Sequence, residues 1–270
     1  MRVRDFAAIA VACVVAATGC SRLTFVKPDA QRRGMDRVAP EYTFSPAPQS
    51  RQGGQARRLL ASAQQKLRAD DDAGAEADAR AALRADGKSA EAHTLLGLIA
   101  TRKGQADAAG RHYAAAAELA PANAIMLGNY GAWLCGNERS EDSLAWFERA
   151  LGVPGDRSAG LANYGACALM AGRTDLAERA SRAALDVDPG NALALNTLAQ
   201  HYYASGQYFE ARAFSQRRLA AAPATPDALR LASQIEDKLG DTVAATRYVQ
   251  RLRTEFPQAR TAGPGEAESQ

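Results

Sequence analysis

Aromatic side chains are scarce in this chain, with 7 Phe, 8 Tyr and 2 Trp among 270 residues. Cores built mainly from packed rings are therefore excluded, and surface has to be buried by close contact through small side chains. Histidine is rarer still. His93, His112 and His201 have no Cys, Asp or Glu at metal-ligand spacing, and the chain has no HExxH, no glycine-rich phosphate loop and no GxSxG. No catalytic or metal motif remains, so an enzyme is not expected, and each histidine reads as a helix-surface or inter-helix residue. Charge of one sign is also missing: 33 basic residues face 30 acidic ones, with no lysine or arginine block. A nucleic-acid partner thus has no electrostatic footprint. What the chain has in abundance is alanine, 62 residues. That is too hydrophobic for disorder and too poor in β-branched and aromatic residues for an all-β fold, so the expected class is all-α.

The start of the chain carries an apolar run, Phe6 to Ala17, behind Arg2 and Arg4. Its 12 residues fall short of the roughly 20 that cross a bilayer, which marks residues 1–19 as a cleaved export signal. Ala17-Thr18-Gly19-Cys20 resembles a bacterial lipobox, with alanine where leucine is commonest. The resemblance implies diacylglycerol on the Cys20 thiol; the plainer alternative is an ordinary signal with an incidental cysteine. Ser21 rather than aspartate follows Cys20, which implies an outer-membrane anchor facing the periplasm. No cofactor is expected beyond that covalent lipid. Residues 20–55, with Pro28, Pro40, Pro46, Pro48 and Gly53-Gly54, show no helical periodicity and read as a tether reaching on the order of 30 Å. Its basic excess suits a solvated linker, or contact with anionic headgroups or wall polymers. Residues 260–270 read as a disordered tail.

Between tether and tail the sequence answers to a period of 34. Glycines stand at 104, 172, 206 and 240, and prolines at 121, 189, 223 and 257. The unit missing from both series has Gly136 and Pro154 slightly off register. Six units follow: 56–89, 90–123, 124–157, 158–191, 192–225 and 226–259. Ala75, Ala109, Ser143, Ala177, Ala211 and Ala245 share one position, and Leu59, His93, Leu127, Leu161, Leu195 and Leu229 another. Leu96-Gly97, Ala109, Tyr113, Ala116 and Pro121 meet the pattern of the tetratricopeptide repeat, as do Tyr130-Gly131 with Phe147 and Ala150, and Tyr164-Gly165 with Ala177, Ala184 and Pro189. This resemblance implies a right-handed superhelical solenoid of six helix pairs. Small residues let paired helices cross closely, the glycines turn the chain between them, and the prolines end each second helix.

Such a body presents a face made by the first helices, suited to a helix or an extended peptide. Helical spacing assigns to it Ile125, Gly128, Ala132 and Cys135, then Ala159, Ala162, Ala166 and Leu169, then Leu193, Asn196, Gln200 and Tyr203. Most are small and apolar, so the expected partner buries an apolar stripe rather than a charged terminus. The repeat-equivalent Asn129 and Asn163 are placed either to bond a partner's backbone or to serve inter-helix hydrogen bonds. Cys135 and Cys167 lie on adjacent first helices, whose axes pack about 8–10 Å apart. Either a disulfide joins them or they remain two buried thiols.

The stretch from Asn123 to Leu151, with Asn129-Tyr130-Gly131, Trp133-Leu134 and Trp146-Phe147-Glu148-Arg149-Ala150-Leu151, and its continuation through Asn163-Tyr164-Gly165, is similar to the type IV pilus biogenesis and stability family, the PilF/PilW lipoproteins or pilotins. The long Pro-rich tether departs from the family's pattern. What the resemblance implies is a non-enzymatic factor that binds the pilus secretin, and other pilus assembly proteins, and aids secretin localisation, multimerisation or stability in the outer membrane. A repeat adaptor lipoprotein for peptidoglycan synthases or hydrolases shares the signal, tether and solenoid, and is the alternative.

Overall fold

The computed structural model describes residues 51–155 and 157–260. The expected signal, Cys20, the tether up to residue 50 and the tail from 261 lie outside the described residues. Within them the chain is all-helical: α1 (Arg51–Arg68), α2 (Asp72–Ala85), α3 (Ala90–Arg102), α4 (Ala106–Leu119), α5 (Ala124–Gly136), α6 (Ser140–Leu151), α7 (Ser158–Met170), α8 (Thr174–Val187), α9 (Ala192–Ala204), α10 (Tyr208–Ala221), α11 (Pro226–Lys238) and α12 (Thr242–Glu255), closed by a 3-10 turn, Pro257–Arg260. Each odd-numbered helix packs on the helix that follows it, and each even-numbered one on the first helix of the next unit, giving a solenoid of six pairs. None of the described helices is long and apolar enough to cross a membrane.

The period of 34 is written at three levels of local structure. Side-chain caps start the first helices of four units: Ser89, Asn123, Asn191 and Thr225 accept backbone N–H groups of α3, α5, α9 and α11. An oxygen there satisfies an amide that the helix leaves without a partner. Turns between paired helices place Gly104, Gly172, Gly206 and Gly240 at φ of 71° to 80°. Pro121, Pro189, Pro223 and Pro257 each stand two residues past a second helix, where the missing N–H and fixed φ stop the coil. The third unit obeys the rule with a different residue. Gly136 belongs to α5, and Glu138, at φ 63°, holds the left-handed place, as Asp70 does at φ 57° in the first unit. Pro154 is early because α6, at 12 residues, is shorter than the second helices on either side.

Helix pairs close where a side chain is absent. A Cβ at Gly97 would stand 2.9 Å from the Tyr113 ring, at Gly131 3.2 Å from Phe147, and at Gly165 2.4 Å from Ser181 Oγ. The same register, sixteen residues apart, thus recurs in three successive units with three different fillings. Ala75, Ala109, Ser143, Ala177, Ala211 and Ala245 are all buried. Two boundaries differ from the sequence reading: the closing 3-10 turn takes in Arg260, which the periodicity assigns to the tail, and α1 begins at Arg51 rather than 56 and takes in Gly53 and Gly54. Nothing stands within 4 Å of a Cβ at Gly54. At an open helix start no packing contact is lost by a missing side chain, so glycine costs only its propensity.

Candidate functional site

The two central units form an open hollow on the face of the first helices. Ala124, Ile125, Gly128 and Asn129 of α5 make one side, Ala159, Gly160 and Asn163 of α7 the other, with Ala150 and Leu151 from the end of α6 and Arg157 from the turn before α7. Small residues on both helices create the space. Leu151 closes the floor, its Cδ2 within ordinary van der Waals distance, 3.4 Å, of where a Cβ on Gly160 would stand. Most of the lining is small and apolar, and its accessible polar side chains are Asn163 and Arg157, Asn129 being buried beneath. That combination takes an apolar side chain together with a backbone or acidic group beside it.

Of the residues assigned to this face from spacing, Ile125, Gly128, Ala159, Asn129 and Asn163 are brought together at the hollow. Ala166, Leu169, Leu193, Gln200 and Tyr203 are partly exposed further along the same helices. Asn129, Ala132, Ala162 and Asn196 are not offered to a partner: their exposures are 4%, 7%, 1% and 6%, and Asn129 lies beneath the hollow rather than open to it. Ala162 packs with Ala184 and Ala194, because α7 and α9 approach closely through small side chains and cover the position between them.

Arg157 is the residue that spacing missed. It occupies the place where Ser89, Asn123, Asn191 and Thr225 cap their helices, and its side chain makes no cap hydrogen bond. A guanidinium cannot accept from an N–H, so the departure from the capping pattern was the signal that this side chain is used elsewhere. No ion pair holds it among the described residues, and it is exposed at the rim of the hollow.

Behind the hollow the two units are fastened together. The structure joins Cys135 of α5 to Cys167 of α7 in a disulfide, with Cα atoms 5.8 Å apart and both residues buried. Met170 places its sulfur 3.5 Å from Cys135 Sγ. Tyr164 packs beside Phe147 and donates its Oη hydrogen to Glu148 at 2.8 Å, tying α7 to α6. Burial, then the Glu148 carboxylate, push the Tyr164 hydroxyl up to about 12, so it stays a donor at physiological pH. Tyr130 stacks on Trp133 and meets Trp146 edge-on, with the Arg149 guanidinium 4.2 Å above Trp146. These rings fill the joint between the second and third units, where Gly110 leaves room for Trp133.

Residues 168–235 match the model of the tetratricopeptide repeat. Among solved structures, the chain is similar to PilW, described as a widely conserved type IV pilus biogenesis factor: 27% identity, TM-score 0.70, with 75% of this chain and 94% of that one covered. It is also similar to PilF of Pseudomonas aeruginosa at 21% identity and TM-score 0.67, covering 77% of this chain and 95% of that one. A tetratricopeptide repeat protein of Parabacteroides merdae follows at 19% identity and TM-score 0.60, covering 75% of this chain and 80% of that one. Among curated proteins none matches this chain in sequence.

Proposed function

From the premise that this chain is a tetratricopeptide-repeat solenoid similar along three quarters of its length to PilW, we propose that it is a non-enzymatic assembly factor for type IV pili. It is held by lipid on Cys20 at the outer membrane, faces the periplasm, and binds the pilus secretin so that the secretin reaches, multimerises in or persists in that membrane. The observation that carries this reading is the PilW match, which spans 94% of that protein. The hollow of the third and fourth units is where a segment of the secretin would lie. Its alanine and glycine lining leaves room for an apolar side chain, Asn163 stands beside it for the partner's backbone, and exposed Arg157 at the rim would meet a carboxylate of the partner. Repeat solenoids act in this way, by display of an extended surface rather than by chemistry.

The test compares heat-resistant secretin multimers in outer membranes of the wild type, a deletion strain, and strains carrying Cys20→Ala or the double substitution Asn163→Ala, Arg157→Gln. Multimers are expected to fall in the deletion strain and in the double variant, and to be mislocalised or reduced with Cys20→Ala. Normal multimers in every strain would overturn the proposal and leave the cell-wall adaptor as the better reading.

A further inference from the structure

His93 of α3 and His112 of α4 meet inside the second unit with their Nδ1 atoms 3.0 Å apart and ring centroids 5.3 Å apart. The repeat shows how unusual the pair is. At the place of His93 the other five units carry Leu59, Leu127, Leu161, Leu195 and Leu229. At the place of His112 three of them carry the rings of Trp146, Phe214 and Tyr248. The second unit thus carries two imidazoles, directed at each other, at places where the third, fifth and sixth carry a leucine and an aromatic ring.

We infer that His93 and His112 form a binding site for one divalent transition-metal ion of the zinc class, with water in its remaining positions. Two imidazole nitrogens bound to one zinc ion at 2.0–2.1 Å, at angles between right and tetrahedral, stand roughly 2.8–3.4 Å apart. The observed separation falls inside that span, so the ligands need little rearrangement to take the ion. A neutral imidazole nitrogen is the donor that such an ion takes, and each ring turns its Nδ1 toward the other. Imidazole is a ligand of zinc, copper and nickel rather than of magnesium or calcium, which excludes the hard cations. The groups acting on the pair are Glu76 and Arg80 from α2 and Arg111 from α4. Glu76 is already committed to Lys103 and Arg80, and among the described residues no group of three or more His, Cys, Asp or Glu is placed to hold a metal. The protein therefore contributes two ligands, which makes the ion exchangeable rather than a permanent part of the fold. Linear spacing concealed the pair, since its members are 19 residues apart on two helices and become neighbours only through the turn at Gly104.

The test is a calorimetric titration of the purified full-length chain with zinc chloride at pH 7.4, alongside melting curves with and without zinc. One saturable equivalent in the micromolar range is expected, together with a rise in melting temperature that a chelator reverses. His93→Leu installs the residue that five units already carry and so retains the fold. It is expected to lose the equivalent and the thermal shift together, as is His112→Phe. Imidazole ¹⁵N spectra of the zinc-loaded wild type should shift at Nδ1 of both rings. Equal uptake by His93→Leu, or no saturable uptake by the wild type, would overturn the inference and leave the pair as a hydrogen bond alone.

Discussion

Gly128 and Gly165 lie on the first helices of adjacent units, and replacing each with alanine should move stability in opposite directions. At Gly128 nothing stands within 4 Å of the new Cβ. The substitution therefore gains the helix propensity difference between alanine and glycine, about 0.8–1 kcal/mol. At Gly165 the same gain is offset by contacts of 2.4 Å with Ser181 Oγ, 3.1 Å with Ser181 N and 3.2 Å with Ala177 O. The hydroxyl belongs to a fully buried serine, and the other two atoms are backbone, so α7 and α8 must separate. Because backbone has to move, the overpacking cost falls at the upper end of the usual range, about 2–3 kcal/mol, leaving a net loss of about 1–2 kcal/mol. For a body of this size 1 kcal/mol is about 2–4 °C, so Gly128→Ala should melt about 2–4 °C above wild type and Gly165→Ala about 2–8 °C below. Far-UV circular dichroism melts of the two variants in one buffer, with urea titrations, measure the difference. Two variants that melt together would refute the argument that glycine is required by the helix crossing.

Removing the Cys135–Cys167 bond by Cys135→Ala with Cys167→Ala should cost about 3–4 kcal/mol on the loop-entropy model for its 32-residue separation, read by urea denaturation with and without reductant. In the native protein neither thiol should be alkylated before reduction. Stability should also fall as pH drops below about 6.5. The folded-state pKa of His93 and of His112 lies below the unfolded value, so the unfolded chain binds more protons in that range. Zinc-free melts at pH 7.5 and 5.5 measure this fall, and His93→Leu should flatten it. A second decline belongs below about pH 4.5, where Glu76, Asp78 and Glu178, all lowered by hydrogen-bonded cations or hydroxyls, lose their charge. Glu138→Gly relieves a left-handed conformation that four other units assign to glycine, and should raise the melting temperature by the equivalent of about 0.5–1 kcal/mol.

The architecture was legible because its punctuation repeats. Glycine at φ near 75° and proline two residues past a helix are backbone requirements, and backbone requirements leave the same residue at the same place in each unit. The third unit was harder to place because Glu138 meets the turn without glycine, which drew attention to Gly136 nearby. The hollow was half legible. Ile125 and Asn163 follow from the helical period, but that period cannot say how closely neighbouring first helices approach, and so it counted Asn129, Ala132, Ala162 and Asn196 as available. Arg157 and the histidine pair share a different cause. Each is an exception to a repeated position, a cap without an oxygen and a leucine replaced by imidazole, and an exception gains meaning only when the neighbour it meets is known.

A solenoid of equivalent pairs behaves mechanically as a spring, sharing any bend among all its joints. The sulfur–sulfur bond between α5 and α7 removes one joint from that sharing. Strain applied to the ends is then taken up by the outer coils, while the locked coil keeps its pitch. The hollow lies on that coil, so its width is set at oxidation and is insensitive to whatever pulls on the remainder of the chain. A reduced protein would share the same load across its middle, and the grip on a bound segment would then vary with tension.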